Sequence, residues 1–416
     1  MSQPDGSSSK KTLHVAYLGP EASFSHQAAL EVFPPTTDRT VALHPLPSFS
    51  AIFSGIQNSS GAAADGIGSE SELESQSLAS PPEDSIHYDY ALVPIENSTN
   101  GSVVQVLDLI AQCGPVAPAL YPDLEVCAEY YLPVHHCLFV SPRSASSSSF
   151  STSISAPRTS TQESTTTATA SHDGDQPQLT RAIRTLYTHP QVWGQCARFL
   201  ATHFSPKDVE RIDVGSTSAA AQLVARDAYS ATTSTSGGLN AAIASKLAGE
   251  RHALVCLAEN IEDEPGRNTT RFVVVRNRRR ARQPSPSRDN DIIDFETVGQ
   301  KEGQSQTQPQ THSPRRHKSL ITFTIPHTKP GALADALAVF KNCGFNLTSI
   351  DTRPSRRRNW QYVFFVECED ADASVPSAGT EGEGKVMEML DELNKFTESL
   401  RYLGRFVDRL PEQDDG

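Results

Sequence analysis

Over the first two thirds of the chain, short apolar runs of strand length alternate with stretches of helical period. Leu13–Leu18, Ala91–Ile95, Cys137–Val140, Thr185–Thr188, Arg211–Val214, Ala253–Leu257 and Phe272–Val275 read as strands. Ser25–Val32, Val103–Ala111, Trp193–Thr202, Ser218–Ala225 and Asn240–Ala248 read as helices. Alternation on this scale predicts an α/β layered domain. Beyond Leu320 the pattern changes. Leu320–Ile325 reads as a strand, Pro330-Gly331 opens a helix with Leu333, Leu337 and Phe340 on one face, and Leu347–Ile350 and Tyr362–Glu367 follow as strands. Val386, Met389, Leu393, Phe396 and Leu400 then mark an amphipathic helix before a last strand, Arg401–Val407. The series is βαββαβ, a ferredoxin-like module.

Polar stretches punctuate both regions. Segments near 58–85, 142–178 and 230–238 are rich in Ser, Thr, Gly and Glu without an apolar period, and are expected to be disordered surface insertions. Residues 277–317 carry a basic run, then Pro, Ser and Gln, and are expected to form a solvated, disordered linker. An α/β domain at 12–276 and a small domain at 318–410 remain.

Composition narrows the function classes. A net charge of −13 argues against a general nucleic-acid binder, which needs a basic face. The seven cysteines are scattered and form no CxxC pair, so neither a zinc site nor a disulfide framework is expected. There is no apolar leader and no run of about 18 apolar residues, so the chain is expected to be cytoplasmic and off the membrane. P-loop, GxGxxG and GxSxG patterns are absent from the sequence.

The candidate chemistry is anion binding beside a hydroxyl. Thr270 and Arg271 stand at the mouth of the apolar strand Phe272–Val275, a pairing suited to an anionic substrate that loses a hydroxyl. Three strand-to-helix junctions carry hydroxyls or amides: Gly19–His26 with Ser23, Pro94–Ser102 with Glu96, Asn97 and Ser98, and Gly215–Ala221 with Ser216 and Thr217. Free N–H groups at helix starts favour negative charge, although each of these side chains also suits an N-cap. Glu96 fits an anion site poorly, except as an orienting group or a protonated acid. At Thr188–Cys196, Gln195 offers a carboxamide, while His189 reads as structural before its proline. His135-His136 lacks further ligands at metal spacing.

Together these segments resemble prephenate dehydratases: Tyr17–Glu21 with Phe24-Ser25, Val93–Ser98 with Gly101, Thr188–Gln191 with Gln195-Cys196, Ser216-Thr217, Ala241–Ser245, and Asn268 with Thr270–Phe272. The downstream module resembles the ACT regulatory domain of the same enzymes through Gly331-Ala332-Leu333, Asn346-Leu347 and Asp351-Thr352-Arg353-Pro354. The resemblance implies a two-lobed, periplasmic-binding-protein-like catalytic domain with the active site between its lobes. It implies decarboxylating dehydration of prephenate to phenylpyruvate without cofactor or metal. It further implies feedback by L-phenylalanine bound at the ACT motifs of a homodimer or homotetramer. Carried over by position, Thr270, Arg271, Glu96, Asn97 and Gln195 are catalytic candidates, and Ser23, Ser98, Thr188, Ser216 and Thr217 are substrate-binding candidates; for Arg271 the alternatives are pairing with a substrate carboxylate, bracing its strand, or facing the regulatory domain.

Three departures stand out. Ala22-Ser23 replaces the usual Gly-Thr, Asp351–Pro354 replaces Glu-Ser-Arg-Pro, and Thr188 replaces a serine. A non-catalytic anion sensor on the same scaffold, an arogenate dehydratase and an adaptor acting through the basic linker are the alternatives.

Overall fold

A computed structural model describes residues 11–37, 39–59, 86–114, 118–142, 180–227, 238–264, 266–282, 316–370 and 380–410. Nearly all of the three expected insertions, and the expected linker from 283 to 315, lie outside the described residues. The chain begins β1 (Lys11–Leu18), α1 (Phe24–Val32), β2 (Arg39–Leu46), α2 (Phe49–Asn58), β3 (Tyr90–Asn97), β4 (Gly101–Ser102), α3 (Val104–Ile110) and β5 (Leu124–Pro133). It continues β6 (Cys137–Val140), β7 (Ile183–Thr188), α4 (Pro190–Gln195), α5 (Ala197–His203), β8 (Glu210–Asp213), α6 (Thr217–Asp227), β9 (Leu239–Ala244), α7 (Lys246–Arg251) and β10 (Val255–Ala258). Then come β11 (Thr269–Asn277), α8 (Arg278–Arg282), β12 (His317–Thr324), α9 (Ala332–Asn342), β13 (Phe345–Pro354), β14 (Tyr362–Asp370), α10 (Thr380–Asn394) and β15 (Ser399–Val407). No described helix is long and apolar enough to cross a membrane.

The chain divides into two compact units. One comprises residues 1–19, 28–132 and 269–416, the other 20–27 and 133–268.

The first unit holds two sheets. One has the order β2-β1-β3-β11-β5, with β4 on β3; β1 pairs parallel with β2 and β3, while β11 runs antiparallel to β3. Helix α2 packs on it through Phe49, Ile52, Phe53 and Ile56, all buried at helical spacing. Ser48 caps that helix by accepting from the Ala51 N–H at 3.2 Å. The other sheet is antiparallel, β13-β14-β12-β15, the order of a ferredoxin-like βαββαβ module. One face carries α9 and α10 on Ile321, Phe323, Val366 and Cys368. Its other face places Leu320, Val363, Phe365, Leu403 and Phe406 in one core with Val106, Leu107, Ile110 and Leu124. The module is thus packed into the unit rather than tethered to it. At Gly404 (φ 139°) an added Cβ would stand 2.0 Å from the Val126 carbonyl oxygen, so only glycine lets β15 come this close to β5.

The second unit is a mixed sheet, β10-β6-β9-β7-β8, parallel at β7–β8 and β7–β9 and antiparallel at β6–β9 and β6–β10. Two expectations fail here. Asn240–Ala248, expected as one helix, is the strand β9 followed by α7. Its alanines favour a helix locally, but Ala241–Ala244 are fully buried in mid-sheet, where small side chains admit Ala220, Ala221 and Val224 of α6. Trp193–Thr202 is two helices, α4 and α5, broken at Cys196 (φ −119°, ψ 25°).

The basic run is also corrected. Asn277 still belongs to β11, and Arg278–Arg282 form α8. Arg276 pairs with Glu125, Arg279 with Asp123 and Arg280 with Asp89, each at 2.7 Å. Carboxylates thus pair with its start, while Arg279 stays 65% exposed.

Candidate functional site

Thr270 and Asn97 meet because β11 runs antiparallel to β3 with these residues opposite each other. The Asn97 carboxamide is oriented by its own turn: Oδ1 accepts from the N–H groups of Thr99 and Asn100 at 3.1 and 3.0 Å. Its Nδ2 therefore donates, to Thr270 Oγ1 at 3.0 Å and to the Thr269 carbonyl at 3.3 Å. A hydroxyl whose oxygen already accepts has its proton left for a further acceptor. Ser98 extends the pairing, donating its backbone N–H to the Thr269 carbonyl while its Oγ accepts from the Thr269 N–H, both at 2.9 Å.

The next register pair along these strands is Arg271 with Glu96. Side chains alternate along a strand, so this pair projects to the face opposite Thr270 and Asn97. Arg271 is buried and fully engaged. Its Nε donates to Glu129 at 2.8 Å, and its two terminal nitrogens grip both Glu367 oxygens at 2.9 and 2.7 Å. Glu129 also takes Lys318 at 3.3 Å, and Lys318 reaches Asp408 at 2.8 Å. Burial alone would lower the Arg271 pKa, but Glu367 and Glu129 outweigh it and hold the guanidinium charged. Burial pushes the Glu129 carboxyl up, against the opposing pull of Arg271 and Lys318. Glu96 lines a small pocket with Ser102, Asp351 and Glu367. Of the readings open for Arg271, the structure favours the brace: an ion pair that holds its strand against the β13-β14-β12-β15 sheet. Glu96 shares that side.

In the second unit, Thr188 is fully buried and its Oγ1 donates to the Ile243 carbonyl at 2.8 Å. It ties β7 to β9, so its candidacy as a substrate contact is corrected to a structural one. Ser23 Oγ accepts from the His26 N–H at 3.2 Å near the start of α1, and Ser216 Oγ accepts from the Ala219 N–H at 3.0 Å. Both cap, as the alternative reading had it. Thr217 opens α6 and is buried. Ala22, where glycine is usual, holds φ at 62° while buried, a left-handed backbone that costs a residue with a Cβ. His189 caps α4, and burial lowers its pKa. Gln195 ends α4, half-buried, with its Oε1 2.8 Å from His136 Nε2. The sequence reading weighed His136 only as a metal ligand; a histidine beside the first residue of a buried strand was the signal available for its contact with Gln195.

Residues 15–65 and 83–280 match the prephenate dehydratase family. The chain belongs to it. The chain is 31% identical to the "Probable prephenate dehydratase" of Saccharomyces cerevisiae over 86% of this chain and 87% of the relative. It is 26% identical to the "Prephenate dehydratase" of Methanocaldococcus jannaschii over 76% of this chain and 80% of the relative. Among solved structures, a prephenate dehydratase from Arthrobacter aurescens, in complex with L-Phe, aligns at TM-score 0.58 and 21% identity over 95% of this chain and 90% of that one. GqqA, described as a quorum quenching acylase, aligns at TM-score 0.56 and 19% identity over 96% and 98%. At such identities the likeness is one of fold, the two-lobed α/β fold of prephenate dehydratases.

The family match ends at 280, so the β13-β14-β12-β15 sheet is characterised by geometry alone. Gly331 precedes α9 with φ 80°, and Ala332 is buried. Asn346 donates to Glu369 at 2.9 Å, and Leu347 is exposed on the edge strand β13. The Asp351 carboxylate accepts from Ser102 Oγ at 3.2 and 3.1 Å, and Arg353 Nε donates to Asp108 at 2.6 Å. Thr352 and Pro354 lie on the same strand, exposed. Six of these candidates thus share β13, and two of them grip the β4–α3 segment that follows Asn97.

Proposed function

We propose that this family member converts prephenate to phenylpyruvate, with Thr270 as the group nearest the departing hydroxyl. The observation that carries the reading is the 3.0 Å hydrogen bond from Asn97 Nδ2 to Thr270 Oγ1, which leaves the threonine proton to be donated. In the reaction the bond to the ring carboxylate breaks and CO2 leaves. The released electron pair enters the ring, and the ring hydroxyl departs as water once a proton reaches it. Aromatisation supplies the driving force. The protein contributes orientation, exclusion of water and proton delivery along the Thr270 hydroxyl. Gln195, Ser23, Ser216 and Thr217 are the proposed polar contacts on the second unit.

The ferredoxin-like module is proposed as an ACT regulatory domain that takes L-phenylalanine at 331–333, 346–347 and 351–354. Two features support this: the grip of Asp351 and Arg353 on Ser102 and Asp108, and a TM-score neighbour in complex with L-Phe. Leu347 and Ile350 stand exposed on the edge strand β13, which supports a homo-oligomer. The proposed location is cytoplasmic.

The test is phenylpyruvate formation from prephenate by the purified chain, with and without L-phenylalanine, and with arogenate assayed alongside. Turnover suppressed by phenylalanine supports both halves of the reading. Turnover indifferent to phenylalanine removes the regulatory half. A folded sample that binds prephenate without converting it removes the catalytic half.

A further inference from the structure

His136 follows β5 in a segment held by one carboxylate. Glu262 takes His135 Nδ1 at 2.7 Å on one oxygen and the His136 backbone N–H at 2.9 Å on the other. The Ile261 N–H donates to the His136 carbonyl at 3.0 Å, and the Phe24 ring stands edge-on to the imidazole with centroids 5.7 Å apart. The His136 residue is 1% exposed. Its Nε2 lies 2.8 Å from Gln195 Oε1, whereas its Nδ1 is buried without a hydrogen-bond partner.

These contacts select one tautomer. A buried lone pair without a partner is tolerated better than a buried N–H without one. The proton therefore belongs on Nε2, where it donates to Gln195 Oε1 and leaves Nδ1 bare. Burial lowers the His136 pKa, which keeps the ring neutral. Rotating the Gln195 amide by half a turn would force the imidazole to accept, and would move its proton to the orphan position. We infer that His136 is a positioning residue that locks the Gln195 carboxamide, so that its two N–H groups always face outward as donors. The described residues give that amino group no acceptor. A fixed pair of donors suits an oxygen anion or a hydroxyl, and in the proposed reaction that oxygen is a substrate carboxylate. That last step rests on the function proposed above.

Two measurements test it. With histidine labelled in the full chain and His136 identified by its loss in His136→Gln, the 15N spectrum should show a protonated Nε2 and a bare Nδ1 near neutral pH. The opposite tautomer, or a charged ring, overturns the inference whether or not the chain turns prephenate over. The second measurement is a cycle on KM for prephenate. Gln195→Ala should raise KM about tenfold in the parent, the loss of one hydrogen bond. In a His136→Phe background the same change should do little, because the amide is already free to rotate. His136→Gln, which keeps an N–H near the same place, should restore most of the affinity. Additive effects of His136→Phe and Gln195→Ala in folded proteins overturn the inference. A parent without turnover counts against the proposed function instead, and the spectrum then decides alone.

Discussion

Arg271, the residue after Thr270, is gripped through both terminal nitrogens by Glu367 of the ferredoxin-like module, at 2.9 and 2.7 Å. The strand bearing the Thr270 hydroxyl is therefore anchored on its far face by the module proposed to sense the effector. Removing one partner of a buried pair leaves an uncompensated charge, so Glu367→Ala should cost about 3–5 kcal/mol in urea unfolding. Exposed Glu264 changed to Ala should cost nothing measurable.

Thr270→Ala should lower kcat by roughly 10²–10⁴-fold with unfolding unchanged, if its hydroxyl delivers the proton. Thr270→Ser should keep most of the rate, since the hydroxyl and the Asn97 contact both survive. A Thr270→Ala enzyme with the parental kcat would end the assignment.

Thr188 provides the contrast. Thr188→Val preserves shape but removes the hydrogen bond to Ile243, and should destabilise the protein by about 1–2 kcal/mol. KM for prephenate should stay at the parental value, because the hydroxyl is buried within the sheet.

Gly404→Ala would drive a methyl group into the Val126 carbonyl, 2.0 Å from the added Cβ. A loss of about 1–3 kcal/mol is expected from the overpacking, read from the urea midpoint.

Glu262 makes stability depend on acid. Burial raises its pKa, but hydrogen bonds from His136 and His135 outweigh this and place it below the ordinary 4.5. A depressed carboxyl pKa contributes stability above the unfolded value and loses it as pH falls through the folded one. Unfolding free energy should therefore drop as pH falls below 4.5, and Glu262→Gln should flatten that decline.

Periodicity made some elements legible and hid others. β6 was legible to the residue, Cys137–Val140, because a short apolar run between polar breaks has few other solutions. The βαββαβ order was legible too, since strand and helix periods alternate cleanly after Leu320. Helix α2 was missed although Phe49, Ile52, Phe53 and Ile56 mark a clear stripe. Strand β5 was missed because Glu129 and other polar residues interrupt its apolar positions.

The sequence by itself determined the family and the strand–helix alternation, because both depend on local motifs and apolar patterning. Only the tertiary structure decided what each polar group touches. It chose the interior brace among the readings open for Arg271, moved Thr188 from ligand contact to sheet tie, and moved the start of the basic run from linker to a carboxylate-paired strand end. His136 emerged as a partner of Gln195, 59 residues away. A side chain's role follows from its burial and its partners, and those partners come from elements far apart in the chain.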